Sequence, residues 1–200
     1  MSYQSYTIKP GQKDWSPKEF PTIWNCRKRK VVIKTFFHEN CLYDWGADQD
    51  QLDWNKTGGM SGAFLNNNKN AIMHAWRPNP ETMKIESTVY SHVDGKTHWG
   101  NKDGAVMGTI DPFKKEVSVL EIRPIDSKGR KHHCLMYAED KEGVLIDGTQ
   151  AESIVVFSKN FWLVKRLGTW FGGQNNAKGE FGGQASQFMQ MWVDFSLLKP

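Results

Sequence analysis

The sequence predicts an all-β protein, a single-domain β-sandwich or jelly roll of two packed antiparallel sheets. Apolar and polar residues alternate along most of the chain, which is the period of a strand with one buried face. Short turn-forming stretches separate these runs, and no run has the spacing of an amphipathic helix of about 12 residues. A chain of 200 residues can bury a core of this kind without a disulfide framework.

The alternating runs predict eight to ten strands. In the last run, Met189, Met191 and Val193 share one face, while Gln190 and Asp194 share the other. Asp94-Gly95 supplies a tight hairpin turn after the run at 84–93, because this pair accepts positive φ. We expect strands at 31–37, 71–77, 84–93, 105–110, 116–123, 131–138, 152–157, 161–167 and 188–197.

The first 25 residues have a different character. Pro10, Gly11 and Pro17 interrupt any regular pattern there. We therefore expect an extended N-terminal arm at 1–25 and the sandwich at 26–200. Trp15, Phe20 and Trp24 are the candidate anchors of the arm on the body of the domain or on a neighbouring subunit.

Composition and charge exclude several classes of protein. The net charge of +4 is too mild to require nucleic acid, and the basic run at 27–30 adjoins a predicted strand, where charges commonly protect an edge. A nucleic-acid binder that uses this run is kept as a third interpretation. The 3 cysteines are widely spaced, so they predict neither a disulfide scaffold nor a zinc site. No signal peptide or stretch of about 18 apolar residues is visible, so we expect a virion or cytoplasmic protein without membrane contact.

A glycine-rich segment repeats the word Phe-Gly-Gly-Gln, at 171–174 and again at 181–184. It lacks the Lys-Ser/Thr of a phosphate-binding loop, and its flanks read as strands. We interpret it as a long loop before the last strand. Trp170, Gln174 and Asn175 offer the aromatic face and planar amides that suit a sugar, although such loops are also plain turns.

The polar face of the run at 84–93 is the main candidate for a site. Glu86, Tyr90 and His92 lie in one row, and a row of charged, phenolic and imidazole groups could hold an acidic sugar. Tyr and His could also perform acid–base chemistry there. An ordinary solvated face remains the alternative. The flanking candidates are Trp76 and Arg77 before this run, and Lys96 and Trp99 after it.

The histidines of the run at 131–138 and the acidic stretch at 44–53 are two further groups of possible site residues. His133 shares a face with Tyr137 on the run at 131–138 and is a fourth catalytic candidate, beside Arg77, Tyr90 and His92. His132 and Cys134 lack the further ligands that a metal needs. The acidic stretch at 44–53 lacks the residue order of a calcium loop, so we expect a solvated loop, no metal and no cofactor.

Three stretches of this chain resemble concanavalin A-like jelly-roll proteins, the group of lectins, glucanases and polysaccharide lyases. They are Trp76-Arg77 at a strand end, the strand and turn from Ile85 to Lys96, and the aromatic-glycine loop from Trp170 to Phe195. The chain is also similar to small jelly-roll proteins carried by phages of gut bacteria. The resemblance covers about residues 60–197 and implies a carbohydrate-related role. Lyases of this group use a strand-borne Arg, a Gln/His pair and a Tyr. Arg77, Tyr90 and His92 match by type, but the Gln-x-His signature has no counterpart here.

The missing signature favours a non-catalytic module as the main interpretation. We expect a phage virion structural or decoration protein, or a carbohydrate-binding protein, whose partner is a glycan or a neighbouring virion protein. A homo-oligomer is left open. The alternative is a polysaccharide lyase, or another glycan-active enzyme, that acts on acidic polysaccharide. The predicted ligand-binding residues are Trp76, Arg77, Glu86, Tyr90, His92, Lys96, Trp99, Trp170, Gln174 and Asn175.

Overall fold

The computed structural model describes residues 3–20, 22–46, 49–100, 105–160, 162–172 and 184–199. Within these ranges the protein is built from strands and short 3-10 turns, and no α-helix occurs there. The strands are β1 (Gln4–Ile8), β2 (Ile23–Asn25), β3 (Lys30–Phe37), β4 (Asn55–Gly62), β5 (Ala71–Asn79), β6 (Lys84–Val93), β7 (Lys96–Trp99), β8 (Gly108–Ile110), β9 (Val117–Pro124), β10 (Lys131–Glu139), β11 (Ala151–Val156), β12 (Leu163–Leu167) and β13 (Met189–Leu198).

The strands form two antiparallel sheets, as the sequence predicted. Sheet A has the order β1-β13-β3-β9-β10-β11, and sheet B has the order β2-β12-β4-β5-β6-β7, with β8 also paired to β6. The first three positions of the two sheets are filled by strands that are consecutive in sequence: β1 and β2, then β13 and β12, then β3 and β4. This repeated crossing between the sheets produces a jelly roll.

A single large hydrophobic core lies between the sheets. Trp76 is fully buried at its centre, with ring centroids 4.9 Å from Phe37 and 6.5 Å from both Trp15 and Phe171. Phe171 belongs to the first Phe-Gly-Gly-Gln word, so this end of the glycine-rich segment is held by a core aromatic. The rest of that segment, including Gln174 and Asn175, lies outside the described residues.

The N-terminal residues form part of both sheets and do not extend away from them. β1 pairs with β13 in sheet A, and β2 pairs with β12 in sheet B. Trp15 and Trp24 are buried, so they anchor this segment on its own domain. Prolines and glycines made the segment look extended. It pairs with β12 and β13 near the other end of the chain, and such long-range pairing cannot be predicted from the local sequence pattern.

Like β1, β2 and β7, the strand β4 was absent from the predicted strands. β4 reads Asn-Lys-Thr-Gly-Gly-Met-Ser-Gly, which lacks apolar alternation, yet every one of its residues is buried. Its glycines allow β4 to pack closely against the neighbouring strand. A Cβ on Gly59 would collide with the Ile72 carbonyl oxygen of β5. The close approach of β4 to β5 therefore requires glycine.

Candidate active site

A cleft of about 490 Å³ opens on the outer face of sheet B. Its floor is apolar: Ala71, Met73 and Leu167 are buried there and pack with Tyr90. The polar groups are placed around this floor, as is usual for small-molecule sites. The cleft is lined by Lys56, Asn67, Asn68, Met73, Tyr90, His92, Gly95, Thr97, Leu167, Gly168, Thr169 and Trp170.

The register of the strands brings residues of this floor into one row. Tyr90 of β6 pairs with Met73 of β5, Met73 pairs with Gly59 of β4, and Gly59 pairs with Leu167 of β12. Paired residues point to the same face of a sheet, so these four positions form one row. Gly59 adds no side chain to this row, and the Met73 side chain lies in its place, with Met73 Cγ 2.8 Å from where a Cβ on Gly59 would be.

Lys56 is the most unusual residue of the cleft. Its side chain is on the outer face, yet the residue is only 8% exposed. The ammonium lies 4.2 Å from the centroid of the Tyr90 ring and donates a hydrogen bond to the Trp54 carbonyl oxygen. Burial lowers the pKa of Lys56 from its ordinary value of 10.5 to about 8, against a smaller opposing effect of Asp53. Lys56 is therefore mostly charged at neutral pH but loses its proton readily above it.

Trp170 is held beside Lys56 by the backbone. The Lys56 amide donates to the Trp170 carbonyl at 2.7 Å, and the Trp170 amide donates to the Lys56 carbonyl at 2.8 Å. The Trp170 side chain is 41% exposed, and the residue lines the cleft. An indole in this position offers a flat apolar surface beside a cation, which suits the C–H face of a charged sugar.

Tyr90 and His92 follow each other on the same face of β6. Their ring centroids are 5.5 Å apart, at an interplanar angle of 76°. Burial raises the pKa of Tyr90, so its phenol stays protonated. Burial, the Lys56 charge and His98 lower the pKa of His92, so its imidazole is neutral at neutral pH. His92 Nδ1 lies 3.3 Å from the Thr97 hydroxyl oxygen, which orients the ring.

The cleft thus combines a cation, a proton donor and a proton acceptor at one pH. Lys56 is the cation, Tyr90 is the donor and His92 is the acceptor. Burial keeps Tyr90 protonated, and burial together with the Lys56 charge keeps His92 neutral, whereas Lys56 stays mostly charged below its pKa of about 8 although burial disfavours the charge. Perturbed groups that converge in a cleft with an apolar floor are typical of an active site.

Arg77 and Glu86 lie on the same face but farther along the strands. Arg77 follows Met73 by four positions on β5, which places it roughly 13 Å away by strand rise. Its Nε donates to Glu86 Oε2 at 2.8 Å, and its guanidinium lies 4.4 Å from the centroid of the Trp54 ring. The pair is therefore beyond reach of a sugar ring seated on Tyr90 and could contact only a more distant ring of the same chain.

The structure places the other predicted residues elsewhere. Trp76 is on the opposite face of β5, where it forms the centre of the core, and a fully buried indole cannot touch a ligand. His133 is on sheet A, where its Nε2 lies 3.2 Å from Glu152 Oε2, so it does not join Tyr90 and His92. Lys96 is exposed at the turn between β6 and β7.

Trp99 belongs to a second depression. Its ring stacks on Tyr90, with centroids 6.5 Å apart and planes at 14°. It faces a wider opening of about 840 Å³ between the edge strands β7 and β11, lined also by His98 and Glu152. This opening is larger than the cleft but lacks the arrangement of Lys56, Tyr90 and His92. The smaller cleft is therefore the candidate site.

Sequence reasoning missed Lys56 and Met73. The signal that could have found Lys56 is a lysine between Asn55 and Thr57 that leads into two glycines, because glycines inside a strand mark a bulge or a close approach. Met73 was placed on the same face as Arg77, but it was not connected to the row of β6. That connection depends on which residue of β5 pairs with Tyr90.

The remaining features concern metal binding, the basic run at 27–30 and membrane spans. Within the described residues, no group of three or more His, Cys, Asp or Glu side chains is arranged to hold a metal ion. In the basic run, Arg27 lies over Trp162 and donates to the Ser127 carbonyl oxygen. In the part of the chain that is described, no helix is long and apolar enough to cross a membrane.

Comparison with known proteins gives relatives by fold. No protein-family model and no curated protein matches this sequence. Among solved structures, alginate lyase Aly36B matches with a TM-score of 0.56 and 10% identity, over 100% of this chain and 82% of that chain. The marine PL-14 alginate lyase from Aplysia kurodai matches with a TM-score of 0.52 and 11% identity, over 99% and 83%.

A third match is a variant of Aly36B in complex with alginate tetrasaccharide, in which a lysine and a tyrosine are replaced by alanine. It has a TM-score of 0.58 and 10% identity, and it covers 100% of this chain and 82% of that chain. At such identities the likeness shows the fold alone. The two-sheet jelly roll predicted from the sequence is confirmed.

These findings correct the main functional prediction. The sequence favoured a non-catalytic virion or carbohydrate-binding module, mainly because the Gln-x-His signature is missing. That prediction was wrong: alginate lyases are among the structures that share this fold along the whole chain, and they agree better with the lyase alternative.

Proposed function

We propose that this protein is a polysaccharide lyase that cleaves a uronate-containing polysaccharide by β-elimination. The observation that carries the proposal is the convergence of Lys56, Tyr90 and His92 in one cleft, in complementary protonation states. The reaction needs three groups: a cation that neutralises the uronate carboxylate, a proton acceptor and a proton donor. The protonation states of Lys56, His92 and Tyr90 supply them in that order.

In the proposed reaction the Lys56 ammonium pairs with the carboxylate of the uronate. This pairing stabilises the negative charge that develops when the proton on the adjacent ring carbon, C5, is removed. Neutral His92 accepts that proton. The C5 electron pair forms the C4=C5 double bond, the bond from C4 to the glycosidic oxygen breaks, and Tyr90 donates its phenolic proton to the departing oxygen. Proton exchange with solvent then restores Tyr90 and His92.

Two features support a sugar chain as the ligand. Trp170 and the apolar floor of the cleft offer surfaces for the C–H faces of a sugar, and Asn67 and Asn68 supply amides at its margin. The alginate-bound variants of Aly36B lack a lysine together with a methionine or a tyrosine, and this cleft contains Lys56, Met73 and Tyr90. Alginate is therefore the first substrate to test.

The test follows the ultraviolet absorbance of the unsaturated uronate during incubation with alginate, polygalacturonate and a glucuronate-containing polymer. We expect product from at least one polymer and a loss of about 10²-fold or more in kcat for Tyr90→Phe, because the proton donor is removed. Tyr137→Phe is the matched control, since Tyr137 lies on sheet A and donates to Glu121. The absence of unsaturated product from every uronate polymer would contradict the proposal, as would full activity of Tyr90→Phe.

A further inference from the structure

A chain of polar side chains runs through the core directly beneath the cleft. All its members are buried, although they lie between the two sheets, where apolar residues are expected. They come from five strands of both sheets: Thr35 of β3, Thr57 of β4, His74 of β5, Ser87 of β6 and Ser118 of β9.

The hydrogen bonds of this chain run in one direction. The Thr35 hydroxyl donates to Thr57 Oγ1 at 3.1 Å, and Thr57 Oγ1 lies 2.6 Å from His74 Nδ1. His74 Nε2 lies 2.8 Å from Ser118 Oγ, whose hydroxyl donates to Ser87 at 3.1 Å. Because the Ser118 hydroxyl proton goes to Ser87, His74 Nε2 carries the proton of that bond, and in the neutral imidazole Nδ1 accepts from the Thr57 hydroxyl, with the Thr35 hydroxyl oxygen also 3.3 Å away. Burial lowers the pKa of His74 to about 3, which keeps it in this form.

Burying five polar side chains is no gain in stability over apolar residues of the same shape. The position of Thr57 indicates what they accomplish instead. The pairing of β4 with β5 shifts its register between Lys56 and Gly58, so Thr57 is the extra residue of a β-bulge. In a bulge the extra residue is unpaired in the ladder, and the bond to His74 holds it from the core side.

We propose that His74, acting through Thr57, is a positioning residue for Lys56. Thr57 points into the core and Lys56 points to the cleft, so the bond between Thr57 and His74 fixes the bulge from which Lys56 projects. On the other side, the backbone bridge to Trp170 fixes the same residue. Together these contacts hold the ammonium over Tyr90. The importance of this position for turnover rests on the proposed function, whereas the positioning itself does not.

The experiment measures the titration of Lys56 in the full chain. Lysines are labelled by ¹³C reductive methylation, and the Lys56 resonance is identified by its loss in Lys56→Met. Three titratable groups face this ammonium, Tyr90, His92 and Asp53, and they are unchanged in the variants tested. In the wild type we expect a pKa of about 8.

Thr57→Val keeps the shape of the side chain and removes its hydroxyl. We expect the Lys56 pKa to rise toward 10.5, the ordinary value for lysine, as the released ammonium reaches solvent. We also expect kcat to fall at least about tenfold with KM within a factor of about two, because the group is displaced during the chemical step. Thr57→Ser, which retains the hydroxyl, should restore both values, and His74→Gln should resemble Thr57→Val.

Thr149→Val is the matched control. The Thr149 hydroxyl accepts from the Ala138 amide and donates to the Ile146 carbonyl, far from the cleft, so its loss should leave the Lys56 titration unchanged. If Thr57→Val does not fold, Thr57→Ala and His74→Gln replace it. Folded variants that keep the Lys56 pKa at about 8 would overturn the proposal. A shifted pKa in a protein that cleaves no uronate polymer would uphold the positioning and remove the proposed function.

Discussion

The outer faces of the two sheets each carry partly buried lysines and a tyrosine, but their charges are arranged differently. On sheet A, Lys34 Nζ lies 2.7 Å from Glu139 Oε1, Lys30 lies 3.1 Å from Glu121, and Tyr137 donates to Glu121. On sheet B, Lys56 contacts the Tyr90 ring and the Trp54 carbonyl, and it forms no ion pair within the described part of the chain.

This difference separates the outer face of sheet A from the face of sheet B that carries the proposed site. The lysines of sheet A are neutralised by carboxylates of the protein itself, so they have no need of an external anion. Lys56 is desolvated, and the charge of Asp53 offsets only part of this effect, so a carboxylate brought by a ligand would stabilise the cation further. Burial is the largest cause of the raised pKa of both tyrosines. Glu121 and Glu139 raise the Tyr137 pKa further, whereas at Tyr90 a hydrogen bond with Thr97 lowers the pKa and the Asp53 charge raises it.

The largest expected effect comes from replacing one lysine of each face by methionine. Lys56→Met should lower kcat/KM on the cleaved polymer by about 10²–10³-fold, because the charge that stabilises the developing anion is lost. Lys34→Met should leave kcat/KM close to that of the wild type but lower the free energy of unfolding by about 1–3 kcal/mol, since Glu139 is left without its partner. Steady-state kinetics and urea unfolding measure both. Equal kinetic losses in the two variants would remove the distinction between the faces.

The pH dependence distinguishes a cationic role for Lys56 from a role as base. Lys56 is charged below a pKa of about 8, so the proposed carboxylate-binding form is lost as the pH rises through that value. We therefore expect kcat/KM to fall about tenfold per pH unit above pH 8. We also expect it to fall on the acid side, where His92 gains a proton. An increase in kcat/KM through pH 8 would instead assign Lys56 as the base.

The smallest expected effect concerns the two partly exposed indoles at the end of sheet B. Trp170→Ala should raise KM by roughly threefold to tenfold with little change in kcat, because a stacking surface for the sugar is removed. Trp162→Ala is the control, since Trp162 is similarly exposed but lies against Arg27, outside the cleft. Initial rates over a range of polymer concentrations give both constants, and an unchanged KM for Trp170→Ala would exclude this residue from substrate binding.

Much of the site face was predictable because it depends on local alternation. Glu86, Tyr90 and His92 were placed on one face of β6 by the period of the strand, and the structure shows them there. Trp170 was expected at a sugar site and lines the cleft. The residues that sequence reasoning assigned incorrectly are those where partners matter: Trp76, on the core face of its strand, and His133, on the other sheet.

The sequence by itself determined the sandwich, because each alternating strand must bury its apolar face and two sheets do so against each other. It also determined which residues share a face within one strand. Only the tertiary structure decided the reactive centre. Lys56 lies on a strand without apolar alternation, and it meets Tyr90 because β4 pairs with β5 through a bulge and β5 pairs with β6. Alternation is a property of neighbours in the chain, whereas register is set by residues distant in sequence.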